Sequence, residues 1–179
     1  MEPSRNNSET LYKSFELTYH LWNKWLSELD FSTLVLVPSS GGWSIGQLYL
    51  HLINETNWYL DQVIECLGNS ANHSEQMTES AKVMFANNSF PDIKIKGNTA
   101  INDSIPQPET KEALLDSFLL MMLKAQEVWT TFRHCDKYGK SQHPGLGYFS
   151  PEEWIQYADM HFRHHRKQKD HILAMIHND

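Results

Sequence analysis

Two histidines spaced four residues apart, His161 and His165, are the residues of this sequence most suited to chemistry. On an α-helix, residues i and i+4 lie one turn apart on the same face, so both imidazoles can reach a single ion. His51, on another predicted helix, offers a third imidazole. Three neutral imidazoles suit Zn²⁺, Ni²⁺, Fe²⁺ or Cu²⁺ and are poor ligands for Mg²⁺ or Ca²⁺. Three protein ligands also leave a fourth position open, as in catalytic zinc sites, where water or a thiol could bind and lose its proton.

The same residues allow two other interpretations. A histidine on the buried face of a helix is often only hydrogen-bonded, and a bound ion can clamp two helices together without catalysing a reaction. His164 lies about 60° away from the face shared by His161 and His165, so we rank it below them. Cys66 lies on the same predicted helix as His51 but about four turns, or ~22 Å, along the axis, which is too far for a shared ligand site.

The helix that carries two of the histidines is predicted over residues 150–177. Ser150 is placed as its N-cap, Pro151 takes the first helical position, and Glu153 completes a capping box. At 100° per residue, one stripe of this helix faces the core and holds polar side chains at its centre. That stripe consists of Trp154, Ala158, His161, His165, Gln168, Ile172 and Ile176.

Three further amphipathic segments predict helices over residues 8–29, 44–67 and 110–133. The second of these opens with Ser44 and Gln47, which form a capping-box pattern. His51 and Glu55 are the two polar members of its otherwise apolar inner stripe. A buried polar group needs a partner, because leaving it unpaired costs on the order of 2–7 kcal/mol.

The remaining segments connect these helices. Residues 69–109 are polar and too long for a simple connection, so we interpret them as a crossover around the bundle, with a short helix over 75–86. We treat residues 134–149 as a loop, and no strand pattern is visible. The sequence therefore predicts a single all-α domain over residues 1–179. It is a four-helix bundle with a long crossover between the second and third helices and a polar tail at 1–7.

Charge and composition limit the partners. The chain has 179 residues, 22 acidic and 15 basic, and a formal net charge of −7. No basic surface outweighs the acids, so we expect a small-molecule substrate and neither nucleic acid nor membrane as a partner. One basic cluster in the last helix is interpreted as its solvated face, and it consists of Arg163, Arg166, Lys167 and Lys169.

Cysteine usage and apolar runs indicate the compartment. Cys66 and Cys135 are isolated and form no CxxC pair, which fits a reducing environment. The N-terminal residues show no apolar signal region, and no run of about 18 apolar residues occurs. We therefore expect a cytoplasmic protein.

Two stretches resemble a known family. Residues 43–55, WSIGQLYLHLINE, are similar to the first histidine motif of the DinB-like (DinB/YfiT) superfamily, in which Trp-Ser or Trp-Thr precedes a helix with an inward histidine. Residues 143–168, HPGLGYFSPEEWIQYADMHFRHHRKQ, resemble the last helix of that superfamily and the turn before it. Both motifs occur in the expected order and with the expected long separation.

The resemblance implies a four-helix bundle in which His51, His161 and His165 hold a divalent metal, with zinc or nickel preferred. Superfamily members include bacillithiol S-transferases and the mycothiol-dependent maleylpyruvate isomerase, and the family is often dimeric. The leading expectation is therefore a homodimeric, metal-dependent transferase of a low-molecular-weight thiol. A metal-dependent hydrolase and a non-catalytic metal-binding or stress-response scaffold are the alternatives.

Four further residues have expected roles around the metal. Glu55, one turn from His51, could orient a ligand imidazole or take the thiol proton, or could form a salt bridge to the first or third helix. Gln168, one turn past the last ligand, could contact substrate or hold a buried water. Tyr59 and Trp154 could line the pocket for the cofactor, and core packing explains both equally well.

Overall fold

The computed structural model describes residues 5–91 and 105–178. Part of the predicted crossover, residues 92–104, lies outside the described residues, as do residues 1–4. Within the described ranges the chain forms six helices and one small hairpin. These are α1 (Arg5–Glu28), α2 (Phe31–Val35), α3 (Ile45–Leu67), α4 (Glu79–Ala86), α5 (Lys111–Arg133), β1 (Ser141–His143), β2 (Gly147–Phe149) and α6 (Pro151–Asn178).

The four long helices α1, α3, α5 and α6 form a bundle, which confirms the predicted all-α architecture. α3 packs between α6 and α5, and α1 packs against the same two helices. His51 of α3 meets His161, whereas Tyr59, two turns later, meets Trp154, so α3 and α6 are antiparallel. α1 runs parallel to α6, and α3 runs parallel to α5. Because α3 and α5 are parallel, the chain must return along the bundle between them, which requires a long connection.

Side-chain caps mark the start of α3 and of α6. The Ser44 hydroxyl accepts from the Gln47 backbone N–H, and the Gln47 side chain accepts from the Ser44 N–H, so the predicted capping box is present. Ser150 and Glu153 make the same reciprocal pair at the start of α6. The helix boundaries therefore fall within a few residues of those predicted from the sequence.

Two local predictions are corrected, and the structure adds one short helix. α1 begins at Arg5, inside the predicted polar tail. The short helix expected over 75–86 begins only at Glu79, because Thr78 is its N-cap and accepts from the Ala81 N–H. The connection after α1 also contains α2, whose N-cap Asp30 accepts from the Thr33 N–H. The starts of α2 and α4 each depend on a single capping side chain, which apolar periodicity does not report.

The predicted 134–149 loop contains an antiparallel hairpin, in which Ser141 pairs with Phe149 and His143 with Gly147. Strands of three residues are too short to show an alternating pattern, which explains why the sequence did not reveal them. Gly147 has φ of +88°, and a Cβ there would lie 2.7 Å from the Gln76 carbonyl oxygen. Only glycine therefore lets the hairpin approach the start of α4 this closely.

A buried carboxylate fixes α1 against α6. Asp159 is 2% exposed and accepts hydrogen bonds from the hydroxyls of Ser14 at 2.8 Å and Thr18 at 2.6 Å. Arg163, one turn along α6, donates to the same carboxylate and also to Asn88. These bonds satisfy a charge that would be unfavourable if it were buried alone.

The predicted solvated basic face of the last helix is only partly correct. Arg166 and Lys167 are exposed, but Lys169 is buried. Its ammonium lies 4.1 Å from the centre of the Trp25 ring and 2.6 Å from the Asp170 carboxylate. A long lysine stem covers apolar surface while its charge keeps a partner, so helical position alone did not predict its burial. Across the described ranges, no helix is long and apolar enough to cross a membrane.

A buried hydroxyl joins the hairpin to α3 and α6, and its removal provides a test of this packing. Ser141 Oγ accepts from Trp154 Nε1 at 2.7 Å and donates to the Gln62 carbonyl. In Ser141→Ala the indole N–H stays buried without a partner, so we expect a loss of about 1–3 kcal/mol in the free energy of unfolding. Ser117→Ala removes an exposed intrahelical bond and should change it by less than about 0.5 kcal/mol. Urea denaturation of both variants measures the difference, and equal effects would contradict this role.

Candidate metal centre

Three histidine side chains converge between α3 and α6. The Nε2 atom of His161 lies 3.3 Å from His51 Nε2 and 3.0 Å from His165 Nε2. All three ligand atoms lie within 4.8 Å of one another, and these are the residues predicted from the sequence. In the part of the chain that the structure describes, His164 contributes no atom to this cluster, in agreement with its lower rank.

Packing sets the orientation of each ring. His161 is 7% exposed, whereas His51 and His165 remain half-buried. The Trp43 ring centre lies 4.9 Å from that of His51, and the Tyr59 ring meets His161 edge-to-face at 5.7 Å. The cluster is therefore held by aromatic rings on its inner side and keeps access to solvent at its two outer imidazoles.

Burial keeps the imidazoles neutral. It lowers the pKa of His51 to about 4 and that of His165 to about 3. The pKa of His161 lies well below its usual value because of burial and the neighbouring imidazoles. Neutral rings leave nitrogen lone pairs available at neutral pH, and this is the form in which histidine binds a metal.

The ring protons of the three histidines cannot give every converging Nε2 atom a hydrogen-bond partner. His165 donates its Nδ1–H to Gln168, so its Nε2 carries a lone pair. A proton on His161 Nε2 can serve only one of its two neighbours, and the buried Nδ1 of His161 has no hydrogen-bond partner within the described residues. One cation between the three rings would satisfy every lone pair. A tetrahedral zinc site places its nitrogens about 3.3 Å apart. The two separations from His161 Nε2 are close to this value, and all three ligand atoms lie within 4.8 Å of one another.

Gln168 contacts a ligand histidine. Its Oε1 accepts from His165 Nδ1 at 2.7 Å. The contact with substrate or a buried water that the sequence suggested stays a prediction, and the structure adds a bond to the Nδ1 side of the His165 ring. In metal sites such a bond fixes the tautomer and the ring orientation of the ligand.

Glu55 is bonded to a tyrosine rather than to an imidazole. Its Oε2 accepts from the Tyr59 hydroxyl at 3.1 Å, and the side chain is half-buried one turn from His51. Burial raises the pKa of Tyr59 well above its usual value, and the neighbouring Tyr157 and the Glu55 carboxylate raise it further. No lysine or arginine among the residues described forms an ion pair with Glu55. The salt bridge considered from the sequence is therefore not found there.

The two predicted pocket residues are both buried. Tyr59 is 3% exposed and Trp154 is fully buried, with its indole N–H bonded to Ser141. Their contact with a cofactor stays a prediction. Cys66 is also buried, and its thiol donates to Ser141 at the far end of α3, consistent with its exclusion as a ligand.

Several aromatic residues beside the cluster were not singled out from the sequence. The Phe90 ring centre lies 6.0 Å from His161, and Tyr157 contacts both Phe90 and Tyr59. Trp58 is 38% exposed and extends the same aromatic surface to His143. Tyr157 lies one turn before His161, so helical spacing could have indicated it. Phe90 lies in a loop and His143 in the three-residue strand β1, and neither element shows a pattern in the sequence.

Loss of one imidazole tests the centre directly. In His161→Gln the cluster keeps two ligands, so we expect stoichiometric zinc or nickel binding to be lost while the helical circular dichroism is retained. His164→Gln changes the adjacent histidine, which is outside the cluster, and should bind metal like the unmodified protein. Elemental analysis after dialysis measures this, and metal retention by His161→Gln would contradict the assignment.

Comparison with known proteins agrees with these observations. No curated protein and no solved structure matches the chain. A family model described as the DinB superfamily matches residues 14–168, a span that includes the three histidines and Gln168. This superfamily is metal-associated, and the His51, His161 and His165 cluster could bind a metal of unspecified identity. Because the match covers most of the chain and confirms the resemblance of its two motifs, the protein belongs to the DinB superfamily.

Proposed function

We propose that this protein is a metal-dependent enzyme that transfers a low-molecular-weight thiol to a small electrophilic substrate. The observation that carries the proposal is the convergence of three neutral Nε2 atoms at a point where two of the rings keep solvent access. Three protein ligands leave room for one exogenous ligand, which is typical of catalytic rather than structural sites. Zinc or nickel suits this nitrogen donor set.

The bound metal would supply Lewis acidity, which lowers the pKa of a thiol held beside it. His51, His161 and His165 would hold the ion, and Gln168 would orient His165. Glu55 lies one turn from His51 and would accept the thiol proton. As the S–H bond breaks and the proton moves to this carboxylate, sulfur forms a bond to the electrophilic carbon. The leaving group departs with the bonding electron pair.

A model reaction tests the proposed activity. The zinc- or nickel-loaded protein is incubated with 1-chloro-2,4-dinitrobenzene and each of several small thiols, including cysteine. We expect a thioether product, released with chloride, at a rate above that of the thiol alone. The excess rate should require metal, disappear in His161→Gln and persist in His164→Gln. Absorbance of the thioether and mass spectrometry measure the product.

The two alternatives predict different results with the same metal-loaded protein. Consumption of an ester or amide substrate in the absence of any thiol would favour a metal-dependent hydrolase and overturn the transferase proposal. Absence of turnover, together with a large fall in melting temperature on metal removal, would favour the non-catalytic scaffold.

Glu55 can be tested separately from metal binding. A positioned general base typically contributes about 10²–10⁴-fold to the rate, so Glu55→Gln should lower kcat by roughly that factor while metal content stays stoichiometric. Glu65→Gln makes the same charge change at an exposed position of α3 and should leave kcat unaltered. Steady-state kinetics of both variants provide the comparison, and equal kcat values would exclude Glu55 as the proton acceptor.

A further inference from the structure

The partner of His165 is an uncharged amide. Gln168 accepts the Nδ1–H of this imidazole at 2.7 Å, and both residues lie on α6 three positions apart. Metal-binding histidines commonly donate this proton to a carboxylate, to a backbone carbonyl or to water. A carboxylate would make the imidazole a stronger electron donor and would place a negative charge close to the ion. A glutamine fixes the same tautomer and orientation without adding that charge.

The other two imidazoles also lack a charged partner. His161 Nδ1 is buried without a hydrogen bond in the described part of the chain. His51 packs against the Trp43 ring, and its hydrogen-bond contact is with His161. Glu55 is the carboxylate one turn away on α3, but the hydroxyl of Tyr59 holds it. Throughout the described residues, no carboxylate is hydrogen-bonded to any of the three ligands.

This arrangement determines the charge of the centre. Three neutral imidazoles contribute no charge, so a divalent ion between them keeps its double positive charge. In a site of low polarity that charge strongly favours an anion at the open position over a neutral ligand. Without a negatively charged partner for any ligand, the site has a lower affinity for the metal, and the bound metal has a higher affinity for an anion.

We propose that Gln168 is a positioning residue that fixes the Nδ1–H tautomer of His165 without adding charge and thereby tunes the open position of the centre to a monoanionic ligand such as a thiolate. The proposal deepens the proposed transferase function and rests on it for the identity of the anion. It concerns ligand selection, however, and is measured without turnover.

Two nearly isosteric substitutions separate orientation from charge. Gln168→Met removes the hydrogen-bond acceptor and should weaken Co²⁺ binding about 10–100-fold, the usual effect of losing such a partner. Gln168→Glu keeps the acceptor and adds a negative charge. It should tighten Co²⁺ binding and weaken azide binding to the Co²⁺-loaded protein by at least about tenfold. Chelator competition gives the Co²⁺ constant, and the visible spectrum of Co²⁺ reports azide binding.

Gln126→Glu is the matched control, because it makes the same charge change at an exposed position of α5. Both constants should equal those of the unmodified protein. An unchanged azide constant in Gln168→Glu, or an unchanged Co²⁺ constant in Gln168→Met, would overturn the proposal. Melting temperatures of the metal-free variants identify any effect that is only structural.

The outcome also distinguishes this proposal from the transferase function. If azide selection responds to Gln168→Glu but no thiol is transferred, the anion preference stands and the proposed reaction fails. If thiol transfer is observed while both Gln168 variants bind Co²⁺ and azide normally, only the role of Gln168 is excluded.

Discussion

Three imidazole Nε2 atoms that converge on one point form the constraint on which the rest of this structure depends. Lone pairs at 3.0 and 3.3 Å repel one another unless a proton or a cation lies between them, and a single proton serves only one pair. Burial makes this repulsion more severe, because it keeps the imidazoles neutral and shields the central ring, that of His161, from water. The site is therefore complementary to a metal ion, which can satisfy all three lone pairs together.

The bundle maintains this geometry by positioning α3 against α6. Aromatic rings fill the α3–α6 interface on the inner side of the cluster. Farther along this interface, the Ser141 hydroxyl of the hairpin is hydrogen-bonded to both helices. On the opposite side of α6, the buried Asp159 carboxylate bonds Ser14 and Thr18 of α1. α6 is thus fixed from two directions, so its paired histidines have little freedom to move away from His51. Such rigidity matters because ligand atoms must be held within a fraction of an ångström.

Two polar side chains near the cluster, Gln168 and Glu55, differ in charge and in hydrogen-bond partner. Gln168 supports a ligand histidine without charge, whereas Glu55 carries a charge but is bonded to Tyr59 and not to a ligand. The arrangement preserves the positive charge of a bound ion and keeps a carboxylate within one turn of His51. These two properties together suit activation of an acidic nucleophile such as a thiol.

The sequence by itself determined the four amphipathic helices, their caps at Ser44 and Ser150, and the pairing of His161 with His165, because all of these depend on spacing within one helix. The tertiary structure decided that His51 meets this pair. The bonds between Gln168 and His165 and between Tyr59 and Glu55 join residues one turn apart on a single helix, so spacing allows them and the observed side-chain orientations select them. The tertiary structure also decided that Lys169 is buried over Trp25 and that residues 141–149 form a hairpin. Helical periodicity reports the face on which a side chain lies, but the rotation and register of one helix against another select its partner. Those follow from the packing of the whole core.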